Sequence, residues 1–164
     1  MKKFLILALS AVIALASCTK EANLEGKWNA PRHNDNPDDI ALSLIFKGNK
    51  LDLYICSYGW HFEGTYSYAD GVVKYDITKG YAALTDVEKD EHGKIIASAG
   101  GIDSIDHKTL EPYPSYAWYN MLDYREDLYE EYKEWLSSFT FEIGADGKAE
   151  SNILGMGGTF TKVK

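Results

Sequence analysis

Cysteine is nearly missing from this chain. Cys18 and Cys56 are the only two in 164 residues, too few for a disulfide framework, so a folded state has to be held by its core. Past residue 17 no apolar run approaches the roughly 20 residues a membrane-crossing helix needs. Basic residues are outnumbered, 17 against 25 acidic, and such a balance disfavours nucleic acid and anionic lipid headgroups as partners. Catalytic signatures are missing as well: there is no G-x-S-x-G nucleophile elbow and no H-E-x-x-H. His33, His61, His92 and His107 are scattered without a paired-ligand spacing. No cofactor and no metal are expected, and the chain is expected not to be an enzyme.

What the chain has is enough apolar material for one domain. Hydrophobic residues make up 45% and charged residues 26%, near globular averages, and the length suits a single core. At the N-terminus Lys2 and Lys3 precede an apolar run, Phe4 to Ala16, and small residues follow, which is the layout of a secretory signal.

Leu15-Ala16-Ser17-Cys18 resembles the lipobox of bacterial lipoproteins. The resemblance implies cleavage before Cys18 and a diacylglyceryl group on its sulfur; two or more acyl chains hold a protein to a bilayer stably, where one gives marginal binding. The chain then divides into a signal peptide (1–17), the lipidated Cys18 with a short linker (18–23), and one domain (24–164). Losing Lys2 and Lys3 with the signal takes the formal net charge from −8 to −10. No aspartate directly follows Cys18, which by analogy with other lipoproteins points to the outer membrane, with periplasmic or surface exposure left open. Cys56 is expected to be a small residue filling a strand position.

From residue 24 onward the sequence has the rhythm of a β-meander. In "IALSLIFKGNKLDLYIC" (40–56), Gly48-Asn49 is a two-residue turn signal. It sets Phe46 against Leu51, Leu44 against Leu53 and Leu42 against Ile55 on one apolar face. The other face, with Ile45 against Asp52, Ser43 against Tyr54 and Ala41 against Cys56, reads as solvent-facing or lightly covered. A second hairpin follows in residues 58–77: Tyr58, Trp60, Phe62, Tyr66 and Tyr68 share one parity with Gly64, His61, Glu63, Thr65 and Ser67 take the other, and Asp70-Gly71 pairs Tyr68 with Val73, Tyr66 with Tyr75 and Gly64 with Ile77. Gly64 inside this strand marks a bulge or a sharp bend.

Further strands are expected at Leu24–Ala30, Tyr81–Glu88, Lys94–Ala99, Phe139–Ile143, Ala149–Leu154 and Thr159–Val163. The total is about eight to ten antiparallel strands, an all-β barrel or sandwich. Between residues 114 and 139 the spacing of Trp118, Met121, Leu122, Leu128, Tyr132, Trp135 and Leu136 predicts one amphipathic helix with an acidic outer face, packing across the barrel wall or plugging an open end. "RHNDNPDD" (32–39), with His33, Asp35, Asp38 and Asp39, reads as a solvated loop, and "ILGMGGT" (153–159) as a tight turn.

Gly26-Lys27-Trp28, at the start of the first strand, resembles the G-x-W of lipocalins, in which the tryptophan seals one end of the barrel. The meander, the late helix and the closing strand are similar to small lipocalin-like lipoproteins of Gram-negative gut bacteria. The resemblance implies a lipocalin-like up-and-down β-barrel with one helix before the final strands. Where that family packs an arginine on the tryptophan, the closing strand here offers Lys162 or Lys164, which predicts a cation–π contact. Thr85-Asp86 is followed by Val87 rather than the tyrosine of the family's T-D-Y motif.

A barrel of this size is either filled by its own side chains or holds one small ligand. Trp60, Phe62, Tyr66, Tyr68 and Tyr75 are the candidates for lining a pocket, and the same five residues are equally suited to filling it. Three functions follow, in order: a lipid-anchored module binding a small apolar or amphipathic molecule, an envelope module docking on a protein partner through its outer face, and a hydrolase using carboxylates brought together by the fold.

Overall fold

The computed structural model describes residues 23–33, 36–101, 103–155 and 158–164; the signal segment and Cys18 lie outside the described residues. Among these residues, ten strands form one antiparallel sheet: β1 (Gly26–His33), β2 (Asn36–Lys47), β3 (Lys50–Ile55), β4 (Trp60–Ala69), β5 (Val72–Lys89), β6 (Ile95–Gly100), β7 (Ala117–Asn120), β8 (Ser138–Ile143), β9 (Lys148–Ser151) and β10 (Gly158–Lys162). β1 pairs with β10 and β4 pairs with β5, so β1-β2-β3-β4-β5-β8-β9-β10 close into an eight-stranded barrel. β6 and β7 are extra strands on the two edges of the long C-terminal half of β5.

Turn chemistry fixes the first hairpins. Gly48 has φ +60° while Asn49 stays at negative φ, a II′-type pattern, and Asp70 and Gly71 have φ 51° and 76°, a I′-type pattern; both carry the twist that antiparallel strands need. Phe46 pairs with Leu51, Leu44 with Leu53, Leu42 with Ile55, Tyr66 with Tyr75 and Tyr68 with Val73, as the alternation predicts. The expected bulge is also present: Glu63 pairs with Lys79 and Gly64 with Ile77, which leaves Thr78 unpaired on β5. Gly64 is required there, because a Cβ would stand 2.1 Å from the Asp76 carbonyl oxygen.

Three expectations need correction. Residues 114–139 are not one helix. Ala117–Asn120 form β7 on the open edge of Tyr81–Leu84, and the helical part is split into α1 (Met121–Tyr124) and α2 (Glu126–Trp135) by a non-helical Arg125 (φ −143°). An unpaired β5 edge and the strand-favouring Trp118-Tyr119 override the helical spacing. The 32–39 segment is not a loop at either end: Arg32 and His33 belong to β1 and Asn36 to Asp39 to β2, with His33 opposite Asn36. Cys56 does not pair with Ala41, since the strand gives way to a 3-10 turn at Cys56–Tyr58.

The core sits inside the barrel. Phe46, Phe62, Phe141, Phe160, Leu44 and Leu53 are all but fully buried, and full burial of such a side chain contributes roughly 1.5–3 kcal/mol. β8 meets β5 only at Val72–Lys74 and β7 meets it at Tyr81–Leu84; α2 packs across the stretch between. Tyr129 of α2 and Leu136 at its C-cap join the core there, Tyr129 lies against Gly80, and the Ser137 carbonyl accepts the Tyr75 N–H at 2.8 Å. The wall-packing role expected of the helix is thus the one it has.

A second, smaller core lies outside the barrel. Residues 103–118 cover the outer face of β2, β3 and β5, burying Ile40, Cys56, Ala83, Ile105 and Leu110 against Tyr54 and Trp118. Burial pushes the Cys56 thiol up to about 12, so it stays protonated and unreactive at neutral pH.

Candidate functional site

The five candidate ligand residues separate into two groups. Phe62 and Tyr75 are deep in the core, and Tyr66 and Tyr68 pack against its edge. Their polar ends are in use: the Tyr75 hydroxyl lies 2.8 Å from the Phe62 carbonyl and 2.9 Å from that of Leu51, and the Tyr68 hydroxyl donates to the Phe141 carbonyl at 3.0 Å. Tyr66 packs edge-on against Phe46 at 4.9 Å. These residues fill the barrel and tie its strands together.

Gly26 and Trp28 hold the place the sequence suggests. The Trp28 indole N–H donates to the Leu24 carbonyl at 2.7 Å, its ring meets Phe141 edge-on at 5.3 Å, and Lys162 Nζ stands 5.3 Å over the ring. Lys162 therefore takes the cation–π position. Gly26, at φ +113°, lets the lysine pass, with its Cε 3.1 Å from where a Cβ would be.

Trp60 behaves differently from the other four. It stacks on Tyr58 at 5.1 Å and meets Tyr132 of α2 edge-on at 4.8 Å; Tyr132 in turn contacts Trp135 at 5.3 Å and lies over Phe62 at 5.8 Å. Four rings thus form a continuous strip where β4 meets α2. Its outer members are open to solvent, Tyr58 at 46% and Trp135 at 53% exposure. A separate groove of about 510 Å³ between β5 and α2, lined by none of the four rings, carries Asp76, Glu130, Glu131, Glu134 and Lys133, a negative surround. The sequence signal for the strip was split between a strand and a helix, so only Trp60 was identified in advance.

On the outer face of β3 and β4 a second polar group comes together. The side chains of Asp52, His61 and Glu63 bring one ligand atom each within 4.8 Å of one another. Asp52 pairs with Glu63 across the strands, and His61 lies two residues before Glu63 on the same face. The histidines considered singly gave no sign of this, because the cluster is made by register. His33 and His92 are exposed, and His107 sits 3.8 Å from Asp39.

Cys18 lies outside the described residues, as does Asp35 of the 32–39 segment. Among the described residues no helix is long and apolar enough to cross a membrane. Comparison of the chain with known protein families, with curated proteins and with solved structures finds no match in any of the three.

Proposed function

We propose that the chain is a lipid-anchored envelope protein of lipocalin-like build, held in the outer membrane through an acylated Cys18, that binds a small amphipathic molecule on the Tyr58–Trp60–Tyr132–Trp135 strip. The observation that carries this reading is the strip itself. Two exposed rings, Tyr58 and Trp135, joined through the half-buried Trp60 and Tyr132, offer apolar area with hydroxyl and indole N–H groups to orient a ligand, and the barrel interior beneath is occupied by its own side chains. Glu131, whose charge acts on the Tyr132 hydroxyl, favours a ligand whose polar end carries hydroxyl or cationic groups. Binding, with no catalytic step, is the role assigned.

Native mass spectrometry of the protein extracted gently from its own envelope tests the ligand. A bound mass that leaves on denaturation and is lost in a Tyr58→Ala/Trp135→Ala variant is expected; a clean apo mass, or a bound mass unaffected by that variant, overturns the reading. Cys18→Ser is expected to move the protein from the membrane fraction to the soluble fraction, and retention in the membrane overturns the anchor. Docking on a protein partner is the second reading, favoured by the open position of Tyr58 and Trp135. It takes over if crosslinking in intact cells through position 135 captures one protein and no small molecule is found.

A further inference from the structure

The His61 side chain is in an unusual position for an outward-facing strand residue. It is only 8% exposed, because Tyr54 stacks flat on it at 4.0 Å and Tyr81 and Trp118 close around it at 5.6 Å. Its Nε2 is buried and has no hydrogen-bond partner among the described residues, yet it points toward Asp52, whose Oδ1 is 3.5 Å away. A buried nitrogen left unpaired costs roughly 1–3 kcal/mol, and nearly all such groups in folded proteins have a partner.

We propose that Asp52, His61 and Glu63 form a binding site for a borderline divalent transition metal of the Zn²⁺ class. The donor set is one imidazole nitrogen and two carboxylates, a combination suited to Zn²⁺ and its first-row neighbours and poorly suited to Ca²⁺ or Mg²⁺, which take oxygen ligands. Metal–ligand bonds of about 2.0–2.1 Å in a tetrahedral site place donor atoms roughly 3.3 Å apart; Nε2 and Asp52 Oδ1 already stand at 3.5 Å. The widest separation within the triad, below 4.8 Å, closes with a rotation of the flexible Glu63 side chain. Two carboxylates facing the imidazole also supply the negative charge that a divalent cation neutralises.

Each donor is held differently. His61 is fixed by its ring stack, Asp52 and Glu63 are fixed by strand register at a directly opposed pair, and both carboxylates remain partly open to solvent. Glu63 Oε2 is 3.4 Å from Lys79 Nζ, leaving its other oxygen for the metal. The cluster borders a groove of about 650 Å³ that also contains Lys47, Lys50 and Lys79. Remaining coordination positions therefore face solvent and three ammonium groups, where water or a small anion completes the shell.

The test is titration of the purified protein, stripped with chelator, with ZnCl₂ followed by isothermal calorimetry, and with CoCl₂ followed by visible absorption. One equivalent is expected to bind, with visible absorption bands typical of a four- or five-coordinate Co²⁺. Asp52→Asn and Glu63→Gln, on a partly exposed surface and nearly isosteric, are each expected to weaken binding at least tenfold while leaving the thermal unfolding midpoint of the metal-free protein in place. His61→Gln is expected to abolish it, with the Asp52→Asn result standing in should this buried substitution fail to fold. No binding at millimolar Zn²⁺, or equal binding by the Asp52→Asn/Glu63→Gln double variant, overturns the proposal. His61 follows Trp60 in the chain but takes the opposite face of β4, and Asp52 and Glu63 touch none of the four rings, so loss of metal binding in the Asp52→Asn and Glu63→Gln variants leaves the test of the aromatic strip unaffected.

Discussion

Two aromatic clusters of this protein use the same residue types at similar spacings and end in opposite surroundings. One joins Trp28, Phe46, Phe141, Phe160 and Tyr66 inside the barrel, with rings 4.9 to 5.5 Å apart. The other joins Tyr58, Trp60, Tyr132 and Trp135 at 4.8 to 5.3 Å along the seam between β4 and α2. In the first, the buried Trp28 N–H is satisfied from within, by the Leu24 carbonyl. In the second, the ends are left to solvent. Ring contacts stabilise both, but only the second presents area that another molecule can cover, which separates a core from a site more sharply than aromatic content does.

The largest effect that would sharpen this contrast is expected inside. Phe141→Ala removes the ring on which Trp28, Phe46 and Phe160 converge, and should cost about 3–5 kcal/mol in chemical denaturation. Trp135→Ala, which truncates a half-exposed ring, should cost no more than about 1 kcal/mol by the same measurement while removing ligand binding. A Trp135→Ala loss as large as that of Phe141→Ala would show the strip to be core and break the comparison.

Gly64→Ala tests the bulge between these regions. Its Cβ would collide with the Asp76 backbone, so a loss of about 1–3 kcal/mol is expected, with chemical-shift changes centred on Asp76 to Lys79. Lys162→Met removes the charge over Trp28 and keeps an apolar stem; a loss of about 0.5–1 kcal/mol, with a change in Trp28 fluorescence, is expected. Cys56 provides a probe with no substitution. Its thiol, pushed up by burial to about 12, stays protonated in the native protein. It should resist alkylation at pH 8 in the native protein and react once unfolded. The linkage has a definite sign: the folded pKa lies above that of the free thiol, so the stabilisation is complete at neutral pH and falls as pH rises from about 8.5 toward 12. Rapid native labelling at pH 8 would show that the 103–118 cover opens easily.

The first four strands were legible in residues 24–77 because each hairpin carries its own evidence. Turn residues at Gly48 and Asp70-Gly71 set the register, and strict alternation confirms it, so pairings such as Leu44 with Leu53 could be read directly. Beyond Ile77 the evidence becomes long-range. β5 continues through Thr78–Gly80 where a break looked natural, because β4 pairs with it on both sides of the bulge. Ala117–Asn120 turn from helix to strand because β5 offers an unpaired edge, which no local window contains. The site was legible in part: Trp60 and Tyr132 were each visible as apolar positions on their own elements, but not as neighbours.

The sequence by itself determined the alternation, the turns and the abundance of apolar side chains, and these specified antiparallel hairpins with one apolar face to bury, since period-2 patterning and turn chemistry act between residues close in the chain. Only the tertiary structure decided that four of the five aromatic candidates fill or brace the barrel, that a helix brings Tyr132 and Trp135 to Trp60, and that strand register sets Asp52 and Glu63 beside a walled-in His61. Those outcomes depend on which distant surfaces compete for the same space, and packing resolves that competition across the whole chain at once.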